Sequence, residues 1–315
     1  MSSCLHPVYL TNPHWNKSTP LGKRNLALWR AMNPGKIYPD DYKIFVPCGK
    51  CLGCRKDRAR QWRVRLLHEH MFGKHFNCIC LTLTIDDDNY AKFSDKAGIK
   101  ACLRAFLDRL RYYTSSRKLP KRFFVTELGE ERDRLHFHGF MWDIDVPYDK
   151  IRRCWSYGFI WIDKLKSVKQ LSYATKYITK PSFKFHYPLV FVSPGLGADY
   201  LKQRNWQDWH RKDPDYFLRM HCTFNGWAYS LPHYYRRKMF STAEILRYKL
   251  LLSKHERPFK KFFLGRSYVD ARQYATDRDK MYETTVRTSK TRVVKRVHYL
   301  PFNIKSNGNF PEIGG

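Results

Sequence analysis

Acidic residues are scarce in this sequence. The 315-residue chain has 28 Asp and Glu against 59 Lys and Arg, which gives a formal net charge of +31 at pH 7. A surplus of this size favours binding to a polyanion and makes the affinity depend on salt. Hydrophobic residues make up 43% of the chain and aromatic residues 16%. That content is enough for a folded core and excludes a wholly disordered basic tail.

Two kinds of segment are missing. No apolar run reaches the length of about 18 residues that a membrane-spanning helix needs, and the first residues lack the pattern of a secretory signal. We therefore expect a cytoplasmic protein with no membrane partner. The glycine-rich loop that cradles phosphates in ATP-driven motors is also absent. The chain is thus expected to depend on a helicase supplied by another protein.

Two stretches rich in aromatic and β-branched residues, 121–128 and 135–142, are separated by a polar loop and predict a β-hairpin. Because side chains alternate between the faces of a strand, His136 and His138 share one face. If the last residue of the first stretch pairs with the first of the second, Glu127 lies directly opposite His136. A slip of one residue would move Glu127 to the other face. The pattern predicts a carboxylate and two imidazoles side by side.

These three side chains suit a catalytic divalent cation with open coordination positions. Imidazole and carboxylate ligands fit Mn²⁺ or a hydrated Mg²⁺, and zinc also accepts them. The alternative is a strand with two surface histidines and no metal, since a His-x-His pair alone is weak support for a site. The acidic residue expected opposite His136 favours the metal site.

A second motif, residues 173–180, contains Tyr-x-x-Lys twice in succession. At about 100° per residue of an α-helix, Tyr173, Lys176, Tyr177 and Lys180 fall on one outward face. The buried face would comprise Val168, Leu171, Ala174, Thr175 and Ile178, and Pro181 would end the helix. The alternative is an ordinary amphipathic helix with a solvated polar face. Beside a His-x-His strand, the tyrosines are better interpreted as nucleophiles that both reach one scissile phosphate.

The two motifs together resemble those of the HUH endonucleases, the initiators of rolling-circle replication. Two tyrosines four residues apart are similar to those of the two-tyrosine initiators of small single-stranded DNA phages, the microviruses. The resemblance covers roughly residues 4 to 240. Further segments that resemble this family, and its gokushovirus-type members in particular, are residues 46–55, 81–84, 193–197 and 231–236.

The resemblance implies a nickase and strand transferase that acts on single-stranded or melted phage origin DNA in the cytoplasm of the bacterial host. Its metal ligands, for Mg²⁺ or Mn²⁺, would be Glu127, His136 and His138, and its catalytic residues Tyr173, Tyr177, Lys176 and Lys180. A host helicase and a host polymerase would be its partners. Two other functions stay open: a non-catalytic single-stranded DNA-binding or packaging protein, and an HUH transposase or plasmid relaxase.

The order of the predicted elements indicates an α+β fold. A strand at 79–85, a helix at 99–113, the hairpin, a strand near 158–162 and the tyrosine helix favour an antiparallel sheet with helices packed mainly on one face. HUH endonucleases, which have a ferredoxin- or RRM-like core, share this architecture. We expect four regions: a basic N-terminal region with a cysteine cluster (1–75), a nuclease core (76–185), an aromatic-rich accessory segment (186–240), and a helical and basic C-terminal region (241–315).

Nine cysteines in a cytoplasmic protein indicate thiols or metal ligands rather than disulfides. Cys48, Cys51 and Cys54 bring three thiols into one short turn, and a tetrahedral structural Zn²⁺ site needs a fourth ligand. Cys4 is the first candidate and His6 the second. Reduced thiols and an iron–sulfur site are the alternatives, although the usual fourth iron–sulfur cysteine would fall at position 58, which is an arginine. The other five cysteines have apolar neighbours and are expected in the core.

Two basic segments are candidates for contacts with the phosphate backbone of DNA. The predicted helix at 55–70 contributes Arg55, Arg58 and Arg63, and the tail contributes Arg287, Lys290, Arg292, Lys295 and Arg296. The alternative for the tail is a solvated, flexible terminus.

Overall fold

The computed structural model describes most of the chain up to residue 254 and parts of the segment beyond it. The described residues are 4, 8–11, 16, 18–32, 34, 43–93, 95–129, 134–180, 188–224, 226–254, 261–263, 266–269, 273–274, 276–277 and 280. The chain divides into two compact units, residues 1–256 and 257–315. In the second unit, strands Lys261–Phe263 and Arg266–Tyr268 form an antiparallel pair.

The first unit contains the central sheet and the helices around it. Its strands are β1 Val8–Thr11, β2 Lys43–Val46, β3 Cys78–Thr84, β4 Arg122–Leu128, β5 Leu135–Trp142, β6 Ile160–Lys164, β7 Val190–Val192, β8 His221–Phe224 and β9 Trp227–Ser230. Its helices are α1 Pro20–Met32, α2 Leu52–Phe72, α3 Asp87–Tyr90, α4 Lys96–Tyr113, α5 Tyr148–Cys154, α6 Val168–Ala174, α7 Arg204–His210, α8 His233–Met239 and α9 Thr242–Lys254. Short 3₁₀ segments lie at Ala91–Phe93, Thr175–Thr179 and Ala198–Lys202. Among the helices that the structure describes, none is long and apolar enough to cross a membrane.

The central sheet has five strands in the order β6-β3-β5-β4-β7, and all neighbouring strands are antiparallel. The predicted hairpin is β4 and β5, and its register pairs Glu127 with His136 and Leu128 with Leu135. The predicted α+β fold, its antiparallel sheet and the register of the hairpin are therefore confirmed.

Helices cover both faces of this sheet, so the prediction that they pack mainly on one face is wrong. α4 and α5 cover one face, where Ile79 and Phe137 are buried. α2 and α6 cover the other face, where Cys80, Phe140 and Trp142 are buried. Because β3 and β5 carry apolar side chains on both faces, each face needs a covering layer to remove that surface from water.

The second layer was missed because α2 was interpreted as a basic DNA-binding helix. Five arginines dominate its sequence, yet Ala59, Trp62 and Leu66 recur at helical spacing and pack into the cluster under the sheet. α2 also reaches a further apolar cluster, where the Tyr235 hydroxyl donates to the Gly197 carbonyl oxygen at 3.0 Å. Residues 193–197 and 231–236, two of the segments that carry the family resemblance, meet at that contact.

Two elements of the sheet layers were not predicted. The short edge strand β7 has only three residues and pairs with β4, and α5 covers the sheet beside α4. A single turn or two of helix and a three-residue strand leave too few residues for a periodic pattern to stand out.

Candidate functional site

Strand alternation brings the predicted carboxylate and imidazoles to one face of the sheet. Glu127 on β4 lies directly across from His136 on β5, and His138 follows two residues later on the same face. This is the face covered by α2 and α6. The three side chains are only partly buried because they lie at the end of the strands, beyond the apolar half of that face.

Threonines of β3 hold the two imidazoles. The Thr84 hydroxyl lies 2.9 Å from His136 Nδ1, and the Thr82 hydroxyl lies 3.3 Å from His138 Nδ1. β3 pairs with β5 so that Thr84 faces His136 and Thr82 faces His138. When each Nδ1 carries the proton and donates to its hydroxyl, each Nε2 keeps a lone pair for a metal, which is the usual arrangement of ligating histidines. Burial lowers the pKa of His136, with a further contribution from His138, which favours the neutral, ligating form.

Glu127 is the electrostatic centre of the site. His138 Nε2 lies 2.6 Å from one carboxylate oxygen, and the Lys180 ammonium donates to the other. Burial alone raises the pKa of Glu127, but the hydrogen bonds from His138 and Lys180 outweigh it and hold the pKa below its ordinary value. Glu127 is therefore a carboxylate at neutral pH, as a metal ligand must be.

The donor chemistry of this face fits a divalent cation. A carboxylate and two neutral imidazoles are ligands that Mg²⁺, Mn²⁺ and Zn²⁺ accept. Their ligating atoms do not converge on one point, since Glu127 accepts hydrogen bonds from His138 and Lys180. In the described part of the chain, the only His, Cys, Asp or Glu set of three or more with all ligating atoms within 4.8 Å is a cysteine cluster. A cation at Glu127 would replace the proton between it and His138.

The two tyrosines are not equivalent. Tyr173 is 55% exposed, whereas Tyr177 is 9% exposed and lies flat on the His138 ring, with 4.0 Å between centroids and 8° between planes. The prediction of one outward face with both tyrosines is therefore wrong for Tyr177. The α-helix ends at Ala174 and continues as a 3₁₀ segment, in which each residue turns by about 120° instead of 100°. The tighter winding rotates Tyr177 from the solvent side toward the sheet.

Tyr173 is placed to ionise. The Lys176 ammonium donates to its phenolic oxygen and lies 3.5 Å from the centre of its ring. The hydrogen bond from Lys176 is the largest effect on the pKa of Tyr173 and lowers it, and the hydroxyl of Tyr177 adds to the lowering. Burial, together with the negative charge of Glu127, raises the pKa of Tyr177. One tyrosine is therefore activated and the other is held neutral.

The arginines of α2 have different surroundings. Arg55 donates from Nη1 to the Lys180 carbonyl oxygen at 3.0 Å, so it supports the end of the tyrosine segment. Arg63 lies over the ring of Tyr229 at 5.8 Å, and Arg58 is exposed. Their contact with DNA stays a prediction. The basic tail residues Arg287, Lys290, Arg292, Lys295 and Arg296 lie outside the described residues.

The cysteine cluster forms a second site. The sulfur atoms of Cys4, Cys48, Cys51 and Cys54 all lie within 4.8 Å of one another. The cluster brings together the three thiols of the short turn and the first candidate for a fourth ligand. His6, the second candidate, lies outside the described residues.

Sequence reasoning missed the residues that position the site. Thr82 and Thr84 were recognised only as part of a strand, although their alternation with leucine already placed them on one face. The bond from Arg55 to Lys180 joins positions 125 residues apart, and no local pattern predicts such a contact.

Comparison with known proteins agrees with the position of the site. Residues 78–182 match the Replication-associated protein ORF2 family. The replication-associated protein ORF2 of Spiroplasma virus 4 is 25% identical over 271 residues, which cover 77% of this chain and 82% of the viral protein. No solved structure matches the chain. The segment matched by the family contains β3 to β6 and α6, and with them Glu127, both histidines and both tyrosines.

Proposed function

We propose that this protein initiates the replication of a phage genome by nicking and rejoining single-stranded or melted origin DNA through a phosphotyrosine. The family match and the viral relative, both replication-associated proteins, support the role in replication. The docking of the tyrosine segment onto the His-x-His strand supports the chemistry: Tyr177 stacks on His138 and Lys180 binds Glu127. A nucleophile and a phosphate-binding centre are thereby brought to one place, as the two-tyrosine HUH chemistry requires.

Tyr173 is the first nucleophile in this proposal. Its phenolate attacks phosphorus, the bond to the 3′ oxygen breaks, and the 5′-phosphate stays on the tyrosine as an ester. The activation of Tyr173 by Lys176 lowers the pH at which the phenolate forms. The released 3′-OH is then available to a host polymerase, and a host helicase opens the duplex. No ATP is needed for rejoining, because the ester retains the phosphodiester linkage.

Glu127, His136 and His138 would hold Mg²⁺ or Mn²⁺ against a non-bridging oxygen of the scissile phosphate, where the cation neutralises charge and aligns the group. Lys180 lies on the Glu127 carboxylate, so its ammonium occupies the edge of the same pocket. We assign it to phosphate binding once the carboxylate has turned to a cation. The high net charge of the chain supports the capture of DNA but not the choice of a sequence.

Tyr177 is the second nucleophile. Termination requires a free tyrosine while the first is still esterified, and Tyr177 is kept neutral and stacked on His138 until then. Esterification of Tyr173 removes the phenolic oxygen to which the Tyr177 hydroxyl donates. We assign this change as the event that releases Tyr177 for the second cut.

A covalent trapping experiment tests the proposal. The full-length protein is incubated with single-stranded DNA circles that contain a randomised segment, with Mn²⁺ or Mg²⁺, then denatured and resolved on a gel. We expect a protein–DNA adduct whose 5′ end is attached to Tyr173, located by mass spectrometry of the digested adduct. Sequencing the 5′ ends identifies the nicked site. Tyr112→Phe, which removes an exposed hydroxyl on α4, is the matched control.

The outcome separates enzyme from binding protein. A non-catalytic single-stranded DNA-binding or packaging protein would retain DNA under native conditions and yield no adduct after denaturation, with either metal. An adduct on a tyrosine outside residues 173–177 would also reject the proposed site.

A further inference from the structure

A cluster of four thiols lies outside the nicking site, at the start of α2. Cys4 precedes β1 and Cys48 follows β2, and these strands form an antiparallel pair in which Val8 faces Val46. Both thiols therefore leave the same end of that pair. Cys51 caps α2 and Cys54 lies in its first turn. Three separate pieces of the chain meet at the cluster.

The spacing of the sulfur atoms fits one tetrahedral ion. The distance from Cys48 Sγ to Cys54 Sγ is 3.9 Å, and that from Cys4 Sγ to Cys51 Sγ is also 3.9 Å. Four thiolates at about 2.3 Å from a central zinc ion are separated by about 3.8 Å along each edge of the tetrahedron. A disulfide would need about 2.0 Å between sulfurs. All nine cysteines lie in described residues and none forms a disulfide.

The surroundings suit thiolates rather than thiols in a core. The backbone N–H of Cys48 donates to Cys4 Sγ at 3.2 Å, and the N–H of Cys51 donates to Cys48 Sγ at 3.3 Å. Donors of this kind stabilise negative charge on sulfur, and the positive end of the α2 dipole lies at Cys51 and Cys54. Gly49, with φ of +74°, lets the chain turn between the first two thiols of the series.

The other cysteines show the contrast. Cys80, Cys102, Cys154 and Cys222 are members of the apolar clusters of the fold, and Cys78 packs against one of them. Within the described residues, none of the four clustered thiols belongs to those apolar clusters, so they do not fill a core. An iron–sulfur cubane is a poorer fit, because each thiolate would bind a different iron and the sulfurs would lie further apart.

The geometry points to a structural Zn²⁺ ion bound by Cys4, Cys48, Cys51 and Cys54, which ties the β1–β2 pair to the beginning of α2. Its role follows from the next residue, since Arg55 donates to the Lys180 carbonyl oxygen. Ala59 and Trp62, one and two turns on, pack in the same cluster as Tyr177 and Ile178. By fixing the first turn of α2, the ion positions the end of the tyrosine segment. Binding of the ion does not depend on the proposed nicking function, although its effect on Lys180 does.

Metal analysis of the full chain, purified under reducing conditions without a metal-affinity column, is the primary test. We expect about one zinc per chain, retained in Cys78→Ser and lost in Cys51→Ser. Cys78 is the matched control because it is a partly buried cysteine outside the cluster. Iron in place of zinc, no metal at all, or full zinc in Cys51→Ser would each overturn the assignment.

A second measurement uses only the wild-type protein, so a misfolded variant does not affect it. Replacement of the bound ion by Co²⁺ should give the intense visible absorption of a tetrahedral tetrathiolate complex, and a weak octahedral spectrum would reject the site. Removal of the ion by a chelator should increase hydrogen exchange at β1, β2 and the first turns of α2, while β4 and β5 stay protected. Unchanged exchange at those segments would overturn the structural role. These readouts need no DNA, so their failure is distinct from failure of the nicking proposal.

Discussion

The ring of Tyr177 lies on the ring of His138, with 4.0 Å between their centroids and planes 8° apart. The stacking joins the tyrosine segment to the strand that carries both histidines. It also separates the two tyrosines by environment, because Tyr173 stays exposed and receives the hydrogen bond of Lys176. A pair that looks symmetrical in sequence thus has an activated member and a sheltered member.

The first prediction concerns the order of the cuts. Tyr173→Phe should lower formation of the first covalent adduct at least about 100-fold, because the activated oxygen is lost. Tyr177→Phe should keep most of the first adduct but fail to release closed unit-length circles, since no second nucleophile remains. Adduct yield after a single turnover and circle release under replication conditions measure the two steps separately.

The double variant Tyr173→Phe/Tyr177→Phe should form no adduct, which provides the baseline for both single variants. Equal loss of the first adduct in both single variants would show that the asymmetry of the two tyrosines has no catalytic consequence. Normal circle release by Tyr177→Phe would show that this is a one-tyrosine enzyme.

The second prediction concerns pH. The pKa of Tyr173 lies below its ordinary value because of the Lys176 ammonium, and the phenolate fraction rises as pH increases through that pKa. Lys176→Met removes the ammonium but keeps much of the chain's bulk, so the pKa of Tyr173 should return upward. The rise of the nicking rate should then move to higher pH, with the largest loss of rate on the acidic side of the profile.

Single-turnover nicking rates across a pH series measure this shift. Lys169→Met, at an exposed lysine of α6, is the matched control and should leave the profile unchanged. A uniform loss of rate at all pH values in Lys176→Met would mean that Lys176 binds DNA phosphate and does not activate Tyr173.

The third prediction concerns the threonine behind His136. Thr84→Val keeps the shape of the side chain but removes the hydroxyl that lies 2.9 Å from Nδ1. The ring then loses the contact that fixes its tautomer, and loss of such a partner lowers metal affinity by about 10-fold or more. The Mn²⁺ concentration for half-maximal nicking should rise by that factor, and saturating Mn²⁺ should restore most of the rate.

Thr84→Ser retains a hydroxyl at the same position and should behave close to wild type in the same titration. If Thr84→Val needs no more Mn²⁺ than the wild type, the hydroxyl is a packing group and His136 is oriented by other contacts.

The sequence was sufficient for the part of the site that depends on local periodicity. Alternation in β4 and β5 predicted both the shared face of His136 and His138 and the opposition of Glu127, because strand geometry has a fixed period of two. The winding of the tyrosine segment was not predictable in the same way. A helical wheel assumes one angle per residue, and the change to 3₁₀ winding at Thr175 is favoured by stacking on His138, which is a tertiary contact.

The layers of the fold show the same division. The order and type of the main elements followed from patterns within each segment, whereas the position of α2 did not. Its arginines suggested a DNA-facing helix, but the apolar residues Ala59 and Leu66 pack it under the sheet. Charge on an exposed face and burial of the opposite face coexist in one helix, so composition alone could not decide which role prevails.

The fourth prediction concerns stability at Gly197. Its φ is +77°, and a Cβ there would lie 2.6 Å from the Tyr235 hydroxyl oxygen and 2.8 Å from the Arg65 carbonyl oxygen. Gly197→Ala should therefore lower the free energy of unfolding by about 2–3 kcal/mol through backbone strain and steric crowding. Gly226→Ala is the matched control, because its φ is +76° but nothing lies within 4 Å of the added Cβ.

Chemical denaturation of both variants measures the two effects. Gly226→Ala should lose only the conformational part, about 1 kcal/mol. Equal losses in the two variants would mean that Tyr235 and its neighbours move aside without cost, and that close packing between 193–197 and 231–236 is not required.

The last prediction concerns Arg55 and Arg58, which lie on consecutive turns of the same helix but have different surroundings. Arg55 donates to the Lys180 carbonyl oxygen, whereas Arg58 is exposed. Arg55→Gln should lower the nicking rate about 10-fold through displacement of Lys180, because a misplacement of about 1 Å can cost more than that in a catalytic site. Its affinity for single-stranded DNA should change little. Arg58→Gln should do the opposite if α2 contacts phosphate, with weaker binding, a shallower salt dependence and an unaltered rate at saturating DNA. Binding titrations at several salt concentrations and single-turnover nicking at saturating DNA separate the two effects. If Arg55→Gln weakens binding as Arg58→Gln does and leaves the saturated rate intact, Arg55 is a DNA contact rather than a support for Lys180.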